Sequence, residues 1–219
     1  MELKLVTKFK DIFTGLERAH GVFEKKNEPQ EGVKVEAHMK TVHEPPSIEK
    51  FQLHLNGEYP AMGIVPINDD DQCKFGAIDI DVYPLDHKLL LKKIKQKKFP
   101  LVMCLSKSGG AHLYLFTKQY VSAKDMQTKL SEMATAIGYP KAEVFPKQIE
   151  LYQREGEEKR DTGSWINLPY HGRSRYGLND VGDALSLEQF HILLFLCLSD
   201  EKLQGLYNQL YFWLLILQV

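Results

Sequence analysis

Cysteine is scarce in this chain of 219 residues. Only Cys73, Cys104 and Cys197 occur, far apart in the sequence. Three separated thiols fit neither a disulfide framework nor a zinc-ligand spacing, so reduced thiols in a cytoplasmic setting are expected. An excess of either charge is also missing: 28 basic residues meet 29 acidic ones, a formal net charge of −1. Overall charge therefore attracts no polyanion, and any phosphate-rich partner needs a local basic patch. Long apolar runs are lacking too. The longest near an end, Leu210–Leu217, is too short to cross a bilayer, so no membrane partner is expected. There is no internal repeat and no low-complexity tract.

What remains is an ordinary globular composition, 43% hydrophobic and 26% charged, enough for one sizeable domain or two small lobes sharing a core. The most informative stretch is Phe75–Val82, an apolar run containing Asp79 and Asp81. In a strand, Ala77, Asp79 and Asp81 share one face, and Ile78, Ile80 and Val82 share the other. The two acids then lie roughly 7 Å apart at Cα and repel unless a proton or cation intervenes. A strand end with two solvated acids is the plainer alternative.

Around this strand the pattern predicts a mixed chain. Phe9, Ile12, Phe13 and Leu16 give an amphipathic helix over about 3–18, followed by a loop through Glu24–Glu31. Val33, Val35, Ala37 and Met39 alternate with polar residues as a half-buried strand. Ser47 caps a short helix that Gly57 closes, and Met62–Ile67 is a further strand. Asp69, Asp70 and Asp71 form a solvated turn. Asp86–Lys98 is a helix with Leu89, Leu90 and Ile94 inward. Its six lysines (Lys88, Lys92, Lys93, Lys95, Lys97, Lys98) are either a solvated face or a polyanion contact.

Leu101–Leu105 and Ala111–Phe116 form a hairpin around Ser106-Lys107-Ser108-Gly109-Gly110. Such a turn offers backbone N–H groups, two hydroxyls and an ammonium to phosphate oxygens, with His112 directly behind it. Tyr114 and Phe116 share the face of His112. Ser122 with Asp125 caps a helix whose stripe is Met126, Leu130, Met133 and Ile137. Gln153–Thr162 is a charged loop, and Gly163–Tyr170 runs as a strand into a turn before Arg173 and Arg175. Ser186 with Gln189 opens an apolar helix to about Leu198, and 201–219 reads as an apolar helical tail.

Three segments in this order resemble the archaeo-eukaryotic primase superfamily, and more narrowly its phage, plasmid and TOTE conflict-system primase-polymerases. They are Ile78-Asp79-Ile80-Asp81; Gly110-Ala111-His112; and Glu143-Val144-Phe145-Pro146-Lys147-Gln148 together with Ile166-Asn167-Leu168-Pro169-Tyr170. The resemblance covers roughly residues 10–190. It implies an α+β, two-lobed fold: an RRM-like antiparallel catalytic sheet with flanking helices, joined to an N-terminal α/β lobe. The catalytic domain is expected over 1–190, with 191–219 as an apolar tail opening a further module.

The same resemblance implies template-directed nucleotidyl transfer with two divalent ions, Mg²⁺ or Mn²⁺, held by Asp79, Asp81 and Glu143. The third acid is Glu rather than the commoner Asp. Nucleotide phosphates would meet Ser106, Lys107, Ser108, Gly110, His112, Lys147, Asn167 and Arg173. Implied partners are a DNA template and primer, nucleoside triphosphates, and a replicative helicase or accessory helical domain. No zinc is expected, because no Cys/His cluster is present. The alternatives are a metal-dependent nuclease using the same residues and an RRM-like nucleic-acid-binding sheet using Tyr114 and Phe116 as stacking aromatics.

Overall fold

The computed structural model describes residues 2–25, 37–153, 155–156, 158 and 160–199. Residues 33–36 of the expected strand and the apolar tail at 201–219, with its run at 210–217, lie outside these. Among the described residues, two four-stranded antiparallel sheets and five helices form an α+β fold.

The chain opens with α1 (Leu3–Ile12), which buries Val6 and Phe9. The helix stops short of residue 18 because the chain turns away at Thr14. Leu16 donates its N–H to the Val65 carbonyl and enters a small cluster with Ala19, Val65 and Ile67. Next come β1 (His20–Lys25) and β2 (Ala37–Val42). The expected loop thus begins as a strand. Met39, assigned to a buried face, is 62% exposed, because β2 is the outer strand of its sheet. α2 (Ile48–Asn56) follows, with the Ser47 hydroxyl accepting from the Lys50 N–H, and Gly57 ends it at φ 85 in the left-handed region. β3 (Ala61–Ile64) pairs with β1, and the first sheet runs β2-β1-β3-β8, with β8 (Ile166–Asn167) supplied from far along the chain.

The second sheet comes from one continuous stretch: β4 (Gln72–Ile80), α3 (His87–Gln96), β5 (Val102–Leu105), β6 (Ala111–Ser122), α4 (Ala123–Ala136) and β7 (Glu143–Phe145). The strand order is β5-β6-β4-β7. A βαββαβ chain in this order is the ferredoxin-like arrangement shared with RRM-type sheets. Alternation along β4 and β6 divides the side chains between two cores. Ile78, Ile80, Leu113 and Leu115 pack with Leu90 and Ile94 of α3 and Met126 and Leu130 of α4. Phe75, Ala77, Tyr114 and Phe116 pack with Phe9 of α1, with Phe13 at its end, and with α2. Both faces of the sheet are therefore covered.

Two expectations are corrected here. Leu89 is 51% exposed, and Leu90 and Ile94 alone carry the buried stripe of α3. Val82 lies beyond the end of β4 and is exposed. The last described helix is α5 (Leu187–Ser199), whose Phe190 and Leu194 are buried in the core beside α1. Among the described residues, no helix is long and apolar enough to cross a membrane.

Candidate active site

β4 lies between β6 and β7, and this fixes the site. Asp79 is the direct cross-strand partner of His112 on β6 and of Glu143 on β7. His112 in turn opposes Cys104 on β5. Direct partners in an antiparallel ladder project to the same face. Glu143, Asp79 and His112 therefore form a row at the end of the sheet where it meets the first lobe.

The orientation of His112 follows from its neighbours. The Tyr114 hydroxyl donates its one proton to the Asn167 carbonyl at 2.9 Å. It therefore accepts from His112, whose Nδ1 is 3.2 Å away and must carry the proton. Nε2 then faces Asp79 Oδ1 at 3.4 Å. Burial pushes the imidazole down to about 4, and the Arg175 charge adds to this. The Asp79 carboxyl is pushed up to about 6, first by burial and then by the charges of Asp81 and Glu143. Above pH 6 an imidazole lone pair and a carboxylate oxygen thus point at one another, an arrangement that a cation relieves.

Asp81 stands just past the last ladder pair of β4, exposed, and accepts a hydrogen bond from the Tyr83 hydroxyl. The Ser106–Gly110 turn sits beside it. Ser106 N–H donates to the Gly110 carbonyl at 3.0 Å, which closes the turn. A Cβ on Gly110 would come within 2.3 Å of the Ile80 carbonyl oxygen, so only glycine lets the turn approach the end of β4 this closely. Lys107 extends from the turn to the other lobe, where its Nζ lies 3.9 Å from the centre of the Phe23 ring. On the far side, Lys147 Nζ is 2.7 Å from Glu143 Oε2.

Asn167 reaches the site from β8, and its amide oxygen is buried with no hydrogen-bond partner. A buried unsatisfied acceptor is costly and is a common mark of a ligand or water position. Arg173 stands exposed on its turn. Arg175 is the arginine turned inward. It is 6% exposed, lies 5.9 Å from the Phe23 ring, and forms no ion pair among the described residues. Burial lowers its pKa, which expresses the cost of an unpaired internal cation. Reading the sequence missed Arg175, Tyr83 and Phe23. Tyr83 is one aromatic of a loop two places beyond Asp81, and nothing in the sequence distinguishes Arg175 from Arg173.

Tyr114 and Phe116 are 0% and 6% exposed and pack against Phe13. They cannot serve as an open stacking platform, which removes the basis for the nucleic-acid-binding-sheet alternative. The α3 lysines lie on the opposite side of the sheet from the row. Lys93 is tied to the Ile137 carbonyl at 3.1 Å.

Among the described residues, no three His, Cys, Asp or Glu side chains converge closely enough to enclose a metal ion. Asp79, Asp81 and Glu143 are turned instead to His112, Tyr83 and Lys147. Their chemistry nonetheless fits a hard divalent cation. All three are oxygen donors, and the mutual repulsion that raises Asp79 is what such an ion removes.

A carboxylate row flanked by a lysine on one side and a buried arginine on the other suits the transfer of a charged phosphoryl group. The family model described as the TOTE conflict system, archaeo-eukaryotic primase domain, matches residues 16–181. The chain belongs to that family, and its class of activity is nucleotidyl transfer of the primase type. No curated protein matches it.

Proposed function

We propose that this domain is a template-directed primase-polymerase that extends or begins chains on a DNA template from nucleoside triphosphates. The reading rests on one observation above all: Asp79 is flanked in register by His112 and Glu143, with Lys107, Lys147 and Arg175 close enough to act on these groups. In the reaction a 3′-oxygen attacks the α-phosphorus of the incoming nucleotide. The bond to the bridging oxygen breaks, and pyrophosphate leaves. Divalent ions held by Asp79, Asp81 and Glu143, Mg²⁺ or Mn²⁺, would neutralise the triphosphate and activate the attacking oxygen.

The remaining work falls to the chain's own side chains. His112, locked by Tyr114, presents the edge of its ring to the nucleotide. Ser106, Lys107, Ser108 and the backbone near Gly110 bind phosphate oxygens from the turn. Lys147 and Arg175 add positive charge at the rim and in the interior, and the unsatisfied Asn167 amide oxygen accepts a donor from the nucleotide. We place the domain in the cytoplasm, in replication of a mobile element or in conflict with one, alongside a helicase or helical accessory domain.

A gel assay tests this with template, labelled nucleotides, and Mg²⁺ or Mn²⁺, each with and without a primer. Products longer than the primer are expected. Shortening of the strand in place of extension would mean a nuclease.

A further inference from the structure

Asp79 and Asp81 are held in different ways. Asp79 is paired in the ladder on both sides, with His112 and Glu143. Asp81 has no ladder partner, since β4 pairs with β6 only as far as Ile80 and with β7 only as far as Asp79. The contact that orients its carboxylate comes from Tyr83, whose hydroxyl donates to Oδ1. That hydroxyl also lies within reach of the Ser106 and Ser108 hydroxyls of the turn. A phenol has one proton to give and two lone pairs to receive. Tyr83 gives that proton to Asp81 and keeps its lone pairs free for a donor from the turn.

Packing does not explain why the ring is there. Tyr83 is 49% exposed, in contrast to Tyr114 at 0%. Pro84 follows and restricts Tyr83 to extended backbone, which limits where the ring can go. The residue thus ties the unsupported acid of the pair to the turn that faces the phosphates.

We propose that Tyr83 is a positioning residue. It orients Asp81 for a divalent cation beside the turn. This rests on the reading of Asp79, Asp81 and Glu143 as cation ligands. Tyr83 itself touches neither cation nor substrate. Hydrogen bonds from such outer groups to a ligating carboxylate typically contribute 10–100-fold in metal affinity or activity.

The test is calorimetric titration of the intact chain with MnCl₂ alone, comparing wild type with Tyr83→Phe. Loss of one hydroxyl from a half-exposed ring should leave the metal-free melting temperature unchanged, which shows that the variant folds. The Kd for Mn²⁺ should rise roughly 10-fold or more. In primer extension, the Mn²⁺ concentration giving half-maximal rate should rise by a similar factor, while saturating Mn²⁺ restores most of the rate. A merely structural role would lower the melting temperature and leave the metal dependence alone. A Kd within twofold of wild type overturns the assignment of Tyr83 while leaving the carboxylate site intact. If wild type itself binds no Mn²⁺, the carboxylate site and the role of Tyr83 fall together.

Discussion

Asp79 and Glu143 face each other directly across the β4–β7 ladder. Burial first, and then the charges of Asp81 and Glu143, make the Asp79 carboxyl hold its proton up to about pH 6. A group whose folded pKa is raised stabilises the fold most below its ordinary value of 3.8. That contribution is lost as pH rises through 6. The shift corresponds to about 3 kcal/mol once the group is ionised. Asp79→Asn should therefore match or fall below wild type in metal-free melting temperature at pH 4 and exceed it by several degrees at pH 7.5. Parallel curves across that range would show that Asp79 is not strained by its neighbours.

His54 gives the opposite sign. It is fully buried, donating from Nε2 to the Pro169 carbonyl at 2.9 Å and accepting at Nδ1 from the Met62 N–H at 3.0 Å. Burial pushes its pKa down to about 3. Its contribution is complete above pH 6.5 and is lost as pH falls toward 3. From this residue alone, stability at pH 5 should be about 2 kcal/mol below that at pH 7. Urea midpoints over this range measure it, and His54→Gln should flatten the slope. An equally steep slope in the variant would assign the acid sensitivity elsewhere.

His112→Ala should impair nucleotide incorporation while the protein stays folded. The ring is one of only five buried polar or charged side chains among the described residues, and it faces Asp79. Steady-state kinetics and a thermal melt should be run together. A large loss of stability with an unchanged KM for nucleotide would make His112 a core residue only.

Arg175 and Arg173 should separate cleanly. Arg175 is buried beside the His112 row and donates to the Leu168 carbonyl at 3.4 Å but forms no ion pair among the described residues, so an incoming phosphate gives it an anionic partner. A charge-assisted hydrogen bond contributes about 1.5–3 kcal/mol, so Arg175→Lys should raise the KM for nucleotide roughly 10–100-fold. Arg173→Ala, at an exposed position, should change it less than twofold. The reverse ranking would return the phosphate contact to Arg173.

The two acids, the histidine and the turn were all legible in the sequence, because each is carried by a local pattern. Period-2 alternation assigns Asp79 to one strand face and His112 to another strand's face. It does not say that those strands are neighbours, nor that they pair in this register. The register joins Asp79 to Glu143 and His112, and it depends on the order β5-β6-β4-β7, a tertiary property. Helix lengths failed for the same reason. Leu16 continues the α1 spacing, yet its N–H is taken by Val65. Tyr83 and Arg175 were overlooked because one is an aromatic in a loop and the other an arginine two places from an equivalent one. Only burial and partners distinguish them.

The central claim is that Asp79 and Asp81 hold the ions that drive nucleotidyl transfer. The most direct test is one titration with Mn²⁺, followed by thermal melting, on wild type and on Asp79→Ala/Asp81→Ala. Wild type should gain stability with the logarithm of Mn²⁺ concentration above Kd, and it should extend primers. The double variant should melt at or above wild type without metal, because mutual repulsion has been removed. It should gain nothing from Mn²⁺ and make no product. A double variant that melts far below wild type in the absence of metal, or that still extends primers, would contradict the account.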